Sequence, residues 1–89
     1  MLNFSTTGRF DRETKKIAKR GKDMDKLKVV IKLLREGKPL PLKYRNHKLS
    51  GNLKDYWECH IEPDWLLVYK KTATDLLLYA MGTHSDLFK

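Results

Sequence analysis

This 89-residue chain has three histidines, His47, His60 and His84. Histidine is the side chain that ordinarily titrates closest to neutral pH. Metal-free cleavage of RNA needs a base that takes the ribose 2′-hydroxyl proton and an acid that protonates the departing 5′-oxygen. Each of these proton transfers typically contributes about 10² to 10⁴ in rate. His60, with Asp64 one predicted turn away, and His84, with Asp86 close behind it, are candidates for the two roles if the fold brings them together.

The same histidines allow two other interpretations. A zinc site is one, but their separations of 13 and 24 residues match none of the compact ligand patterns. The single cysteine, Cys59, also excludes a site built on paired thiolates. The other interpretation is three unrelated surface histidines. We therefore predict no metal and no other cofactor.

Two aromatic residues, Trp65 and Phe88, could bind the substrate by offering a face to an unpaired base. Each base stacked on an aromatic ring contributes roughly 1 to 3 kcal/mol. Both residues also have a structural interpretation, because Trp65 opens an apolar strand and could belong to the core, and Phe88 could pack the carboxyl-terminal segment.

Positive charge is concentrated in the first half of the chain. The net charge is +8, with a pI of about 9.7. Residues 1–48 hold 15 Lys and Arg against 5 Asp and Glu, whereas residues 49–89 hold 4 against 6. Such a distribution attracts nucleic acid, an acidic protein or an anionic membrane, although a membrane helix would need large apolar anchors on a segregated face. A merely soluble basic surface is the alternative.

Composition also limits the compartment and the domain count. No apolar run approaches the roughly 20 residues needed to cross a bilayer, and residues 1–10 lack the apolar centre of a signal peptide. Cys59 has no partner for an internal disulfide. We expect a cytoplasmic protein that does not associate with membranes. Its length predicts one domain over residues 1–89, because two would each be too small to bury a core.

Hydrophobic periodicity predicts two helices followed by three strands. A helix over residues 7–20 can be capped by a hydroxyl of residues 5–7, and a second helix begins after Asp23 and ends at Gly37. Residues 39–52 are predicted as an extended loop. Alternating or aliphatic patterns predict strands over 55–62, 65–70 and 76–81, joined by tight turns. We therefore expect an α+β fold in which two helices cover a small antiparallel sheet.

Three segments resemble the YafQ branch of the RelE-like toxins. They are residues 59–69 (CHIEPDWLLVY), 82–88 (GTHSDLF) and 47–51 (HKLSG), and the resemblance spans nearly the whole chain. It implies a RelE-like fold of two amino-terminal helices packed on a small antiparallel sheet. It also implies an mRNA endonuclease that cuts message in the ribosomal A site, and an antitoxin partner. The basic charge of this chain predicts that the antitoxin is acidic.

The resemblance also implies roles for individual residues. The functional set of the family falls on six positions with matching residue types: His47, His60, Asp64, Trp65, His84 and Phe88. His84 is implied as the general acid, and His60 with Asp64 as the pair that acts on the 2′-hydroxyl and the phosphate. His47 is implied as a second contributor from the loop, and Phe88 as the stacking platform.

Two positions depart from the family pattern. Relatives commonly hold arginines where this chain has Trp57 and Ala80, and both would be cations near the scissile phosphate. Losing such a charge typically costs about 10² to 10³ in rate. Cleavage by this chain is therefore expected to be slow, or Lys48 or Lys54 supplies the missing charge. Ala80 is also a candidate for an attenuating substitution.

The departures leave two further hypotheses about function. One is a catalytically impaired module of the same fold that binds the ribosome, RNA or an antitoxin without cleaving message. The other is a gyrase-directed toxin of the related ParE group. The three histidines argue against the gyrase hypothesis, because a ParE-type toxin is expected to lack them.

Overall fold

The structure, a computed structural model, describes residues 1–88. Two short 3₁₀ turns, Leu42–Tyr44 and Gly51–Leu53, lie in the connection after the second helix. The strands and helices of the described residues are, in chain order, β1 (Asn3–Thr6), α1 (Gly8–Lys19), α2 (Met24–Arg35), β2 (His47–Lys48), β3 (Trp57–Glu62), β4 (Trp65–Lys71), β5 (Asp75–Gly82) and α3 (His84–Leu87).

The first two helices begin at side-chain caps, as the sequence predicts. The Thr7 hydroxyl oxygen accepts a hydrogen bond from the Phe10 amide at 3.0 Å, and the Asp23 carboxylate accepts one from the Asp25 amide at 3.0 Å. These side chains satisfy amide groups that have no partner inside the helix. Gly37, two residues beyond α2, has a φ of 71° and reverses the chain without strain. No helix within residues 1–88 is long and apolar enough to span a bilayer.

The five strands form one sheet in the order β1-β5-β4-β3-β2. Strands β3, β4 and β5 form the predicted antiparallel meander. The sheet is nevertheless mixed, because β1 pairs with β5 in parallel. Strands β1 and β2 and the short helix α3 were not predicted. Each has only two to four residues, so it is defined by the neighbours it pairs or packs with and not by a periodic pattern of its own.

Helices α1 and α2 cover one face of this sheet. Their buried side chains pack against alternate residues of the meander, including Cys59, Leu67 and Leu78. Trp65 belongs to this core and has no exposed surface. The prediction that Trp65 stacks on a base of the substrate is therefore wrong, because strand alternation directs its indole into the core, where RNA has no access.

The opposite face of the sheet is turned away from α1 and α2, and we call it the open face. Pairing places Glu58, Val68 and Ala80 in one row across β3, β4 and β5. The next row brings His60 beside Leu66 and Gly82. Because alternate residues point to opposite faces, Glu58 and His60 of β3 stand on the open face. The register shift after His60 turns Glu62 instead toward Lys22 and Lys26. The face under α1 and α2 therefore forms the core, and the open face is available for a functional site.

Helix α3 folds back tightly onto the end of β5. Thr83 and Asp86 form a capping box, in which each side chain accepts a hydrogen bond from the backbone amide of the other residue. A Cβ atom at Gly82 would lie 2.9 Å from the side chain of Asp86, so this close approach requires glycine. Arg20, which follows the end of α1, adds an ion pair to Asp86 at 3.3 Å. These contacts fix where the chain after β5 places His84.

Two carboxylates outside the histidine cluster, Glu62 and Asp86, join distant segments and have lowered pKa values. Hydrogen bonds from Lys22 and Lys26 hold the pKa of Glu62 below its ordinary value of 4.5. The backbone amide of Thr83, followed by smaller contributions from other groups, holds the pKa of Asp86 below its ordinary value of 3.8. A carboxylate whose pKa is lowered on folding stabilises the fold above its ordinary pKa. That stabilisation is lost as the pH falls through the lowered value.

We therefore expect the free energy of unfolding to decrease as the pH falls below the ordinary pKa values of these carboxylates, 4.5 and 3.8, toward the lowered values of the folded chain. Urea denaturation followed by circular dichroism at several pH values measures this decrease. The decrease should be shallower in Glu62→Gln, whereas Asp55→Asn, which removes an exposed carboxylate, should follow the unmodified chain. Identical pH dependence in Glu62→Gln and the unmodified chain would contradict the assignment.

Candidate active site

Three different elements bring the three histidines together on the open face. The ring centroids of His47 and His60 are 6.2 Å apart, and those of His60 and His84 are 5.7 Å apart. His47 reaches this place because β2 pairs it with Glu58, two residues before His60 on β3. His84 arrives from the opposite side at the start of α3. The condition on which the sequence argument depended, that distant imidazoles share one surface, is met.

Asp64 holds the ring and the backbone of His84. Its carboxylate oxygen accepts hydrogen bonds from the His84 backbone amide at 2.9 Å and from Nδ1 at 2.8 Å. These two bonds, the backbone one contributing more, lower the pKa of Asp64 below its ordinary value of 3.8. An ionised carboxylate can only accept, so Nδ1 carries the proton. The Nε2 atom of His84 is thereby left for a substrate, and the side chain is 56% exposed.

Backbone carbonyls orient the other two rings in the same way. Nδ1 of His60 lies 3.3 Å from the carbonyl oxygen of Pro63, and Nδ1 of His47 lies 2.8 Å from that of Arg45. A carbonyl oxygen only accepts, so each Nδ1 donates. Both Nε2 atoms are therefore available for a proton or a metal. They face Oε1 of Glu58 at 3.5 Å from His60 and 3.4 Å from His47.

Glu58 is the site residue that the sequence analysis missed. It is 5% exposed, and it is the buried charged residue of the described chain. Buried charges are rarely left without a partner, and here the partners are the two imidazoles. The available signal was the period-two pattern of β3, which places Glu58 on the same face as His60. The pairing of β2 with β3, which brings His47 to Glu58, leaves no mark in the sequence.

The same three side chains could hold a metal ion. Ligand atoms of His47, Glu58 and His60 all lie within 4.8 Å of one another. In a tetrahedral zinc site, bonds of 2.0 to 2.2 Å separate neighbouring ligand atoms by roughly 3.3 Å. The two measured nitrogen-to-oxygen separations, 3.4 and 3.5 Å, are close to that value. The argument against zinc from chain spacing is thus insufficient, because the ligands come from two paired strands and not from one compact motif.

The predicted substrate-binding residues lie in different places. Phe88 follows α3 and is 46% exposed, which leaves its ring accessible to a base. Lys48 does not stand with the histidines, because it pairs with Trp57, whose side chain packs against the core on the other face. Lys48 is therefore corrected as a source of charge at the site. Lys54 is exposed beside the second 3₁₀ turn, and its role stays a prediction.

The two positions at which the family resemblance implies arginine differ in their relation to the site. Trp57 packs against the core, so it contributes nothing to the open face. Ala80 stands on the open face in the row of Glu58 and Val68, and only 1% of its surface is exposed. A longer side chain at Ala80 would have to emerge beside the histidines. Of the two departures, Ala80 is the one that bears directly on the site.

Comparison with known proteins identifies the family of the chain. A family model described as "Bacterial toxin of type II toxin-antitoxin system, YafQ" matches residues 2–89. The mRNA interferase toxin YafQ of Escherichia coli (strain K12) is 43% identical over 83 residues, which cover 92% of this chain and 90% of that protein.

Solved structures share the fold and about two fifths of the sequence. A chain in the crystal structure of the E. coli DinJ-YafQ toxin-antitoxin complex has a TM-score of 0.94 and 40% identity, covering 99% of this chain and 98% of that chain. A copper-bound mutant toxin from Helicobacter pylori has a TM-score of 0.95 and 38% identity, covering 99% of this chain and 100% of that chain. This chain therefore belongs to the YafQ family of bacterial toxins of type II toxin-antitoxin systems.

Proposed function

We propose that this chain is an mRNA interferase, an endoribonuclease toxin that cleaves message in the ribosomal A site by acid–base chemistry. The observation that carries the proposal is the approach of His84, held by Asp64, to within 5.7 Å of His60 between ring centroids. Two imidazoles at this separation can act on opposite sides of one phosphodiester. The E. coli relative named an mRNA interferase supports the same reaction.

In this proposal, one proton transfer takes place on each side of the phosphate. Nε2 of His60 takes the proton of the 2′-hydroxyl, and the oxygen attacks the adjacent phosphorus to form a 2′,3′-cyclic phosphate. His84 acts as an imidazolium, protonated on both nitrogens, and its Nε2 donates a proton to the 5′-oxygen as the bond from that oxygen to phosphorus breaks. Glu58 stabilises the imidazolium that forms at His60, because its carboxylate faces that nitrogen. His47 shares Glu58 and is the alternative base.

Asp64 acts through His84 in this proposal. Its two hydrogen bonds fix the ring so that Nε2 points away from the protein and Nδ1 keeps its proton. Phe88, four residues after His84, offers its exposed ring to a base next to the cleaved bond. Base stacking would hold the nucleotide in line with the two imidazoles.

The proposal includes a ribosome, a message and an antitoxin as partners in the cytoplasm. A net charge of +8 favours association with RNA and with an acidic protein segment. The E. coli relative was solved in complex with DinJ, which supports an antitoxin for this chain as well. If charge dominates that affinity, the complex should dissociate more readily at high salt.

Primer extension on message from cells that express the chain tests the proposal. Breaks at codon-spaced positions are the expected result, and a His60→Ala/His84→Ala variant should produce none. Intact message with arrested growth would instead support the impaired binding module. The observation that favours this module is that position 80 holds alanine and not arginine. Intact message with normal growth would contradict both functions.

Metal bound by His47, Glu58 and His60 is expected to inhibit cleavage. Cu²⁺ or Zn²⁺ would occupy the Nε2 lone pairs that the mechanism needs for proton transfer, so we expect a loss of about 10²-fold or more. Ribosome-dependent cleavage of a defined message, measured with added metal and again after a chelator, gives the result. The chelator should restore the rate of the inhibited protein and leave that of the metal-free protein unchanged. Full activity with metal bound at these ligands would contradict the assigned base.

A further inference from the structure

A cavity of about 340 Å³ lies beside His60, along the edge of β3 that β2 leaves unpaired. Strand β2 pairs only with Trp57 and Glu58, so the rest of β3 has no strand neighbour on this side. The cavity is closed by α2 and by the chain that leads into β2. We call it the basic pocket. Its charged lining residues are Lys26, Lys43, Arg45 and Glu62.

Positive charge exceeds negative charge in the basic pocket. The carboxylate of Glu62 is already bound by two ammonium groups, those of Lys22 and Lys26, each at 2.8 Å. Within residues 1–88, no carboxylate lies within 4.0 Å of the charged groups of Lys43 or Arg45. These two cations are therefore available to an anion that enters the pocket.

The backbone at Arg45 is held in an unusual conformation. Its φ of 47° and ψ of 45° lie in the left-handed region, which residues other than glycine and asparagine rarely adopt. Strained residues of this kind persist where the surrounding structure requires them, and they concentrate at functional sites. Here the carbonyl of Arg45 accepts the hydrogen bond from Nδ1 of His47. One residue thus joins the histidine cluster to the basic pocket.

We infer that the basic pocket binds the phosphate of the message next to the one that is cleaved. This inference rests on the function proposed above, and it adds a substrate subsite to it. A phosphate is the anion that accompanies RNA at every nucleotide, and His60 is both the proposed base and a wall of the pocket. A strand whose scissile phosphate lies between His60 and His84 can place its neighbouring phosphate between Lys43 and Arg45. These cations come from a segment different from Trp57 and Ala80, where the family resemblance implies arginines, and they act on the neighbouring phosphate and not on the one that is cleaved.

The salt dependence of RNA binding tests the subsite without any cleavage. The probe is a short single-stranded RNA with 2′-O-methyl groups throughout, which cannot be cut by 2′-hydroxyl attack. Fluorescence anisotropy gives its affinity over a range of salt concentrations. The variant Lys43→Gln/Arg45→Gln should bind about 10- to 100-fold more weakly at low salt. The slope of log affinity against log salt should fall by about 0.7, the value for one phosphate of a single strand.

Two further variants separate the subsite from general charge and from misfolding. Lys28→Gln/Lys38→Gln removes the same charge from two exposed side chains outside the pocket and should leave the slope unchanged. Arg45→Asn removes the charge with a residue that tolerates the left-handed conformation, so it should lower the slope even if Arg45→Gln folds poorly. A variant slope equal to that of the unmodified chain would overturn the subsite.

A neutral linkage in the RNA identifies the phosphate itself. After primer extension has mapped the cleaved bond, a methylphosphonate replaces the adjacent phosphate in the methylated probe. The unmodified chain should lose affinity with this probe, and Lys43→Gln/Arg45→Gln should lose none, because it already lacks the contact. Equal losses in both proteins would overturn the assignment. Failure of the nuclease proposal appears separately, as the absence of breaks in message, so the two failures are distinguishable.

Discussion

Replacing His84 by alanine is expected to lower ribosome-dependent cleavage of message by about 10² to 10⁴, the contribution of one general acid. His84 is the proposed donor to the departing 5′-oxygen, and its Nε2 is the ring nitrogen that Asp64 leaves unoccupied. The loss should appear in the rate of single-turnover cleavage on programmed ribosomes, with little change in binding. No other side chain of the described site is held in the same orientation beside His60.

The His84→Ala variant should keep its fold. The backbone amide of residue 84 still donates to Asp64, and the capping box of Thr83 and Asp86 does not involve the imidazole. Ser85→Ala is the matched control, because it changes the next residue of α3, whose exposed side chain forms no hydrogen bond to a described site residue. An unfolding midpoint equal to that of the unmodified chain would show that the loss is chemical. Undiminished cleavage by His84→Ala would contradict the assigned acid.

The substitution Ala80→Arg is expected to raise cleavage by about 10² to 10³, the usual effect of a cation on the charge that develops at phosphorus. Ala80 stands in the row of Glu58, two strand spacings of about 4.8 Å away across Val68. An arginine that emerges from this row would extend over Val68 toward the histidines. Cleavage rates on programmed ribosomes and the extent of growth arrest both measure the effect.

A control is needed because Ala80 is buried. A larger side chain there could strain the packing, at a typical cost of about 1 to 3 kcal/mol. Ala80→Met adds a long side chain without charge, so it reports the packing effect alone. If Ala80→Arg folds as well as Ala80→Met and neither changes cleavage or growth arrest, the idea that alanine attenuates this chain is wrong.

Most of the fold could be predicted from local patterns. Helices α1 and α2 follow from their caps and apolar stripes, and the meander follows from alternation and short turns. Strand β1 could not be predicted, because four residues beside β5 are ordered by pairing with a partner more than 70 positions away. The same limit applies to β2, whose two residues form a strand only because β3 is there to receive them.

The candidate site was predicted in part. The histidines and Asp64 were identified by residue type and by the family resemblance, and the structure brings all four to one face. Trp65 was misplaced because an aromatic residue at the start of a strand points to either face depending on register, which residue type does not reveal. Glu58 was missed because its importance lies in its burial between His47 and His60, and burial of a charge is a property of packing.

By itself, the sequence determined the element types, the charge asymmetry, the family and the residues able to transfer protons, because each of these depends on side-chain chemistry or on short-range periodicity. Only the tertiary structure decided that His47 and His60 both face the carboxylate of Glu58. It also decided that Asp64 orients His84 and that a basic pocket opens beside the histidines. The physical reason is that these contacts join separate elements through strand register and the folding back of α3. Such long-range contacts form only when the whole chain is packed.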